Sequence, residues 1–109
     1  MNSKVLQDIS LIKRTGNLIL GFDVVKASLR EGTAVLLVTA NDLSAKTNKE
    51  VAFLQEKYNI PHITIRHTLD ELWYVLGKRV GVMSVTDKGL SEKITKDNCE
   101  EDNCENVII

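Results

Sequence analysis

The sequence predicts an α/β protein: a three-layer α/β/α sandwich around a small mixed sheet of about four strands. Three observations predict it. Apolar residues recur at helical spacing and then at strand spacing, alternately, along the chain. The string "AVLLVTA", residues 34–40, is apolar on both alternating faces, as a strand covered by helices on both sides requires. The intervening helices carry their own start and stop residues, so the elements are short and separate.

The elements follow in order. "SKVLQDISLIKR" puts Val5, Ile9 and Ile12 four and three residues apart, which predicts an amphipathic helix ending near Gly16. "NLIL" reads as a short strand. Phe22 to Glu31 reads as a second helix, with Val25 and Leu29 facing inward and Gly32 as its stop. Residues 34–40 form the expected central strand. "SAKTNKEVAFLQEKYN" gives a long helix with Val51, Leu54 and Tyr58 on one side, and Pro61 separates it from the strand "HITIR". Thr68 and Glu71 form a Thr-x-x-Glu capping box that opens "LDELWYVLG", a helix closed by Gly77, in which Trp73 is expected in the core with Leu69 and Leu76. "RVGVMSVTD" is the last strand and "KGLSEKITK" a final short helix.

A chain of 109 residues, 43% hydrophobic with one proline, fits one domain with one core. Residues 1–96 are that domain, and 97–109 are expected to be an acidic, disordered tail. From Asp97 onward there are five acids and no base, which leaves 14 bases against 10 acids before it, a body of +4. A mildly basic body is compatible with nucleic acid without demanding it. The N-terminal residues lack the apolar core and small-residue cleavage site of a signal peptide, and no run of 18 apolar residues occurs, so the expected location is cytoplasmic, with no membrane partner. In that compartment Cys99 and Cys104 would be reduced thiols.

Catalytic patterns are weak. No glycine-rich phosphate loop and no nucleophile elbow appears. Asp42 follows the expected central strand, where α/β folds place reactive groups, but no earlier strand ends in the acids that a magnesium-holding receiver site would need, so a turn serves Asn41 and Asp42 better. His62 and His67, five apart on or beside a strand, point to opposite faces and make a poor metal pair. Two cysteines alone make an incomplete zinc site. Neither an enzyme nor a bound cofactor or metal is expected.

The strings "ISLIKRTGNLILG", "SLREGTAVLLVTAND", "YNIPHITI" and "GVMSVTDKGLSEKI" resemble the bacterial YlxQ-type branch of the kink-turn RNA-binding ribosomal-protein family, also called the L-seven-A-e and L-thirty-e family. The resemblance spans residues 5 to about 95. It implies an α/β/α sandwich whose second helix starts at a glycine and presents its first turns to RNA, often a sharply bent duplex with sheared G·A pairs. The family motif there is G-x-N-E-x-x-K, with a further glycine after five more residues. Gly21 falls on its first glycine and Gly32 on its last. Asp23 falls on the Asn, Val24 on the Glu and Ala27 on the Lys. Lys26 is one residue off, a rotation of about 100° around the helix, so it is placed for phosphate rather than for a base.

The resemblance implies that Gly21, Phe22 and Asp23 form the helix start that meets RNA, within a positive field from Lys13, Arg14, Lys26, Arg30, Lys46, Lys78 and Arg79. A loop before the last strand, here "GKRVG", would cover an unstacked base, with Trp73 standing where the family has the glycine of a Leu-Gly pair. Val24 and Ala27 carry no hydrogen-bonding group and Asp23 can only accept. At about 1 to 3 kcal/mol for each base read, the absence of two such readers would weaken specific binding a hundredfold or more. The implied function is therefore non-enzymatic binding of structured, kink-turn-like RNA, ribosomal or ribosome-associated, through degenerate base-reading residues. The alternative is a protein-interaction module on the same fold, with Phe22, Val24 and Ala27 as an apolar patch and a protein as partner.

Overall fold

The computed structural model describes residues 3–101. Helix α1 (Lys4–Arg14) leads to β1 (Leu18–Leu20), α2 (Phe22–Glu31), β2 (Leu36–Thr39), α3 (Ala45–Tyr58), β3 (His62–Thr64), α4 (Leu69–Leu76), β4 (Val82–Val85) and α5 (Lys88–Glu101). The four strands form one mixed sheet in the order β1-β4-β2-β3. β4 runs antiparallel to both its neighbours, and β2 is parallel to β3. The predicted fold class is the observed one. β2 is one of two inner strands, and it shares full burial with β4.

Alternation along the strands divides the core in two. Leu36, Val38, Met83 and Val85 face α1, α4 and α5, where Val5, Ile9, Ile12, Leu72, Leu76 and Ile94 are buried. Leu37 and Val82 face the other way, onto Val25 and Leu29 of α2 and Val51 and Leu54 of α3. The predicted inner faces of the first three helices are therefore the buried ones. The capping box of α4 is formed as expected: Thr68 Oγ1 accepts from Glu71 N–H at 3.2 Å and Glu71 Oε1 from Thr68 N–H at 2.9 Å. That exchange satisfies two helix-end donors and holds the Glu71 carboxyl below its usual range.

Three expectations are corrected. Trp73 is 55% exposed rather than core, because α4 is inserted through Leu72 and Leu76 with Leu69 and Val75 beside them, and residue 73 lies about 100° around from residue 72. The final helix is also longer than "KGLSEKITK": it runs through residues 97–101, which the acidic composition had assigned to the tail. The cause is tertiary. Asp97 and Asn98 are buried, Asn98 Nδ2 donates to the Thr64 carbonyl at 3.5 Å, and Lys93 Nζ, which donates to Asp97 one turn on at 3.0 Å, also reaches Asp8 of α1 at 2.8 Å. The rest of the expected tail, 102–109 with Cys104, lies outside the described residues, and Cys99, expected as a reduced thiol, is not a free one.

Strand direction decides where the site forms. β1, β2 and β3 end, and β4 begins, at one edge of the sheet. The start of α2, residues 40–44, residues 65–68 and residues 78–81 therefore converge there.

Candidate nucleic-acid interface

At that edge Gly21 donates its N–H to the Val82 carbonyl at 3.0 Å, and its own carbonyl receives Val25 N–H at 2.9 Å, so it closes β1 and opens α2 in one residue. Its φ of 101° and ψ of 141° lie in a region open only to glycine, which explains the residue. With no side chain, Gly21 also offers no cap. Each of the other four described helices has one: Ser3 Oγ accepts from Leu6 N, Ser44 Oγ from Thr47 N, Thr68 Oγ1 from Glu71 N, and Asp87 Oδ2 from Leu90 N. The first-turn N–H groups of α2 are thus left to an outside acceptor, at the positive end of the helix dipole. Such an end favours phosphate or another anion.

Backbone hydrogen bonds tie the neighbouring turns to this edge. Ala40 N–H donates to the Gly81 carbonyl at 2.9 Å and Asn41 N–H to the His67 carbonyl at 3.1 Å. Asp42 Oδ1 accepts from Leu69 N–H at 3.0 Å, so this carboxylate serves the start of α4, in keeping with a turn rather than a reactive group. A Cβ added at Gly81 would come within 2.6 Å of both Leu43 Cδ2 and Leu69 Cδ2, so the loop before β4 is packed against Leu43 and against Leu69 of α4, whose side-chain ends would have to turn aside for a larger residue.

On α2, Asp23 and Lys26 are exposed, Val24 is 54% exposed, and Phe22 and Ala27 are half-buried. The inward side is fixed by Val25, Leu29 and a buried hydroxyl pair, Ser28 Oγ to Ser84 Oγ at 3.0 Å.

The expected cations are divided by the fold. Lys46 stands in the first turn of α3, and Lys78 and Arg79 stand in the loop that leads from α4 into β4. Arg79 Nε donates to Asp70 Oδ1 at 3.0 Å, an exposed pair of small worth that a phosphate can displace. Lys26 and Arg30 follow one another along α2, and Lys26 Nζ sits 5.6 Å from the centre of the Phe22 ring. Lys13 and Arg14 end α1, at the opposite end of β1 from Gly21, and Lys13 Nζ is taken by the Leu76 carbonyl at 3.1 Å.

The histidines do separate as their spacing predicted. His62 Nε2 bonds Thr39 Oγ1 at 2.8 Å and His67 Nε2 bonds Ser3 Oγ at 2.9 Å, and burial lowers the His62 pKa. Sequence reasoning passed over Lys49, Phe53 and Lys57. Their spacing of four places them on one stripe of α3 facing α2, and that spacing was legible in "KEVAFLQEK".

Comparison with known proteins agrees with this architecture. The profile of the Ribosomal protein L7Ae/L30e/S12e/Gadd45 family matches residues 3–95. The chain is 31% identical over 90 residues to a protein of Enterococcus faecium named RNA-binding protein YlxQ, covering 83% of this chain and 86% of that one. It also superposes on a solved structure of a protein of unknown function from Bacillus halodurans with a TM-score of 0.80 and 25% identity, over 88% of this chain and 97% of the other.

Proposed function

Because the chain belongs to the L7Ae/L30e/S12e/Gadd45 family, we propose that it binds structured RNA, without catalysis, at the edge that Gly21 opens. One observation carries this reading: α2 alone among the five described helices lacks a side-chain cap, at the edge where the loop of Lys78 and Arg79 leads into β4. The name of the Enterococcus relative supports it. The finer assignment is a bent, kink-turn-like RNA, ribosomal or ribosome-associated, met in the cytoplasm. Among the described residues no helix is long and apolar enough to cross a membrane.

In this reading the backbone N–H groups of Phe22, Asp23 and Val24 take a phosphate or a base-edge acceptor. Asp23 accepts from an exposed amino group. Val24 and Ala27 contribute shape alone, so selectivity rests on the bend of the RNA more than on base edges. The test is the affinity for a kink-turn RNA and for a straight duplex of equal length at two salt concentrations. The bent RNA should bind tighter with the shallower salt dependence relative to its affinity. Equal, weak and steeply salt-dependent binding to both would reduce the interaction to phosphate attraction.

The exposure of Val24 supports a second reading, a protein-interaction surface on the same helix start. The double variant Val24→Glu, Ala27→Lys separates the two: a gain in kink-turn affinity identifies a degenerate RNA reader, and loss of a protein partner with no gain identifies the protein module.

A further inference from the structure

Four cations lie along one groove between α2 and α3: Lys26 and Arg30 on α2, Lys49 and Lys57 on α3. The groove encloses about 640 Å³ and its acidic lining among the described residues is Glu50 alone. All four cations are exposed, and among the described residues none of them is in an ion pair. Elsewhere the cations are often spent: Lys93 on Asp8 and Asp97, Lys4 on Glu100, Arg79 on Asp70. Charge left unneutralised in a concave site focuses the field there.

The same walls carry aromatic faces. Phe22 begins α2 and lines the groove, and Phe53 is 62% exposed at its centre. Lys57 Nζ lies 6.0 Å from the Phe53 ring and 5.4 Å from that of Tyr58. Lys49, Phe53 and Lys57 are one helical stripe about 12 Å long, with cations at both ends and a ring between them. Cations that track a backbone, interleaved with a ring on which a base can stack, are the requirements for a single strand of nucleic acid. The groove is also continuous with the proposed interface, since Phe22 and Lys26 belong to both.

We infer that this groove binds a single-stranded RNA segment flanking the structured element held at Gly21, with Lys26, Arg30, Lys49 and Lys57 on its phosphates and Phe53 under a base. The inference rests on the RNA-binding reading and adds a second site to it. It gives α3 a role in choosing RNAs that carry an unpaired extension.

The experiment uses the full chain and two RNAs, one kink-turn with blunt ends and the same one with a short unpaired extension on each strand in turn. One extension should tighten binding. In the variant Lys49→Ala, Lys57→Ala, the salt slope for the extended RNA should fall by about 0.7 for each phosphate that is no longer neutralised, while blunt RNA is unaffected. Phe53→Ala should cost about five- to a hundredfold for the extended RNA alone. All three positions are exposed, so unchanged melting of the variants is the control for folding. Equal affinity for blunt and extended RNA, or variants that weaken binding of both to the same degree, would overturn the groove assignment and leave the Gly21 site standing. Failure of the parent chain to bind either RNA would overturn both. If instead the variants release a poly-glutamate peptide that the parent binds, and extended RNA is indifferent to them, the groove belongs to an acidic protein segment and the inference is refuted.

Discussion

Replacing Asp8 by Asn should leave the protein about as stable as its parent at pH 4 and make it more stable at pH 7. Asp8 of α1 is 4% exposed and accepts from Lys93 Nζ of α5 at 2.8 Å, and the same ammonium donates to Asp97 at 3.0 Å. One cation therefore serves two carboxylates. Burial first, and then the bond to Asp97, push the Asp8 carboxyl up from 3.8 to about 6, against the opposing pull of Lys93. A raised acid keeps its proton in the folded protein where the unfolded chain has given it up. Stability is then full below 3.8 and declines as the pH rises to about 6. At about 1.36 kcal/mol for each pH unit, that interval corresponds to about 3 kcal/mol. Asn mimics the protonated carboxyl at every pH and leaves Lys93 to Asp97. Glu71, held low by the Thr68 backbone, and His62, lowered by burial, titrate alike in both proteins and cancel from the difference; Asp97, held low first by its bond from Asp8 and then by Lys93, keeps the Lys93 ammonium in the variant. The assay is urea unfolding of parent and Asp8→Asn, followed by helix ellipticity, at pH 4, 5, 6 and 7. The difference should grow from near zero to about 3 kcal/mol in favour of the variant. A difference that does not change with pH, or a variant less stable at pH 7, would refute the account of Asp8 as a buried acid held against its charge.

Gly21→Ala should cost about 1 to 3 kcal/mol in urea unfolding from backbone strain alone, because a Cβ there meets nothing within 4 Å, and should weaken RNA binding further than stability explains; wild-type stability would show that φ to be incidental. Trp73→Ala should cost under about 1 kcal/mol rather than the roughly 3 to 5 of a buried aromatic, which calorimetry can decide. A chain stopped after Lys96 should melt several degrees below one stopped after Glu101, since only the shorter one lacks the bonds of Asp97 and Asn98; equal melting points would put the end of the domain before Asp97.

Much of this was legible locally. Helices α1 to α4 follow from spacing within single turns, and the Thr68 capping box joins residues three apart, so the string that encodes it also forms it. The two glycines framing α2 were visible for the same reason, and so were Asp23, Val24 and Ala27 at the positions where the resemblance implies Asn, Glu and Lys. Lys13 and Arg14 look like any other basic pair in sequence. Their distance from the Gly21 edge depends on which end of β1 each helix adjoins, and Lys13 is further committed to a carbonyl 63 residues away. The acidic run from Asp97 misled because composition reports charge and cannot report burial or a distant partner: Asp97 and Asn98 are buried and Asn98 meets the Thr64 carbonyl, although the local pair of Lys93 and Asp97, four apart, was legible.

The sequence by itself determined the elements, their two-sided burial and the glycine that starts α2, because these depend on residues within a few positions of one another. Only the tertiary structure decided which loops share an edge, which cations remain unpaired and which face of α4 is outside. Strand order β1-β4-β2-β3 joins β1 to β4, more than 60 residues on, and so brings Gly21 against Val82. The packing of α3 beside α2 then sets Lys49, Phe53 and Lys57 across from Lys26 and Arg30. Those pairings come from the burial of two apolar faces at once, a condition no local stretch of chain can satisfy alone.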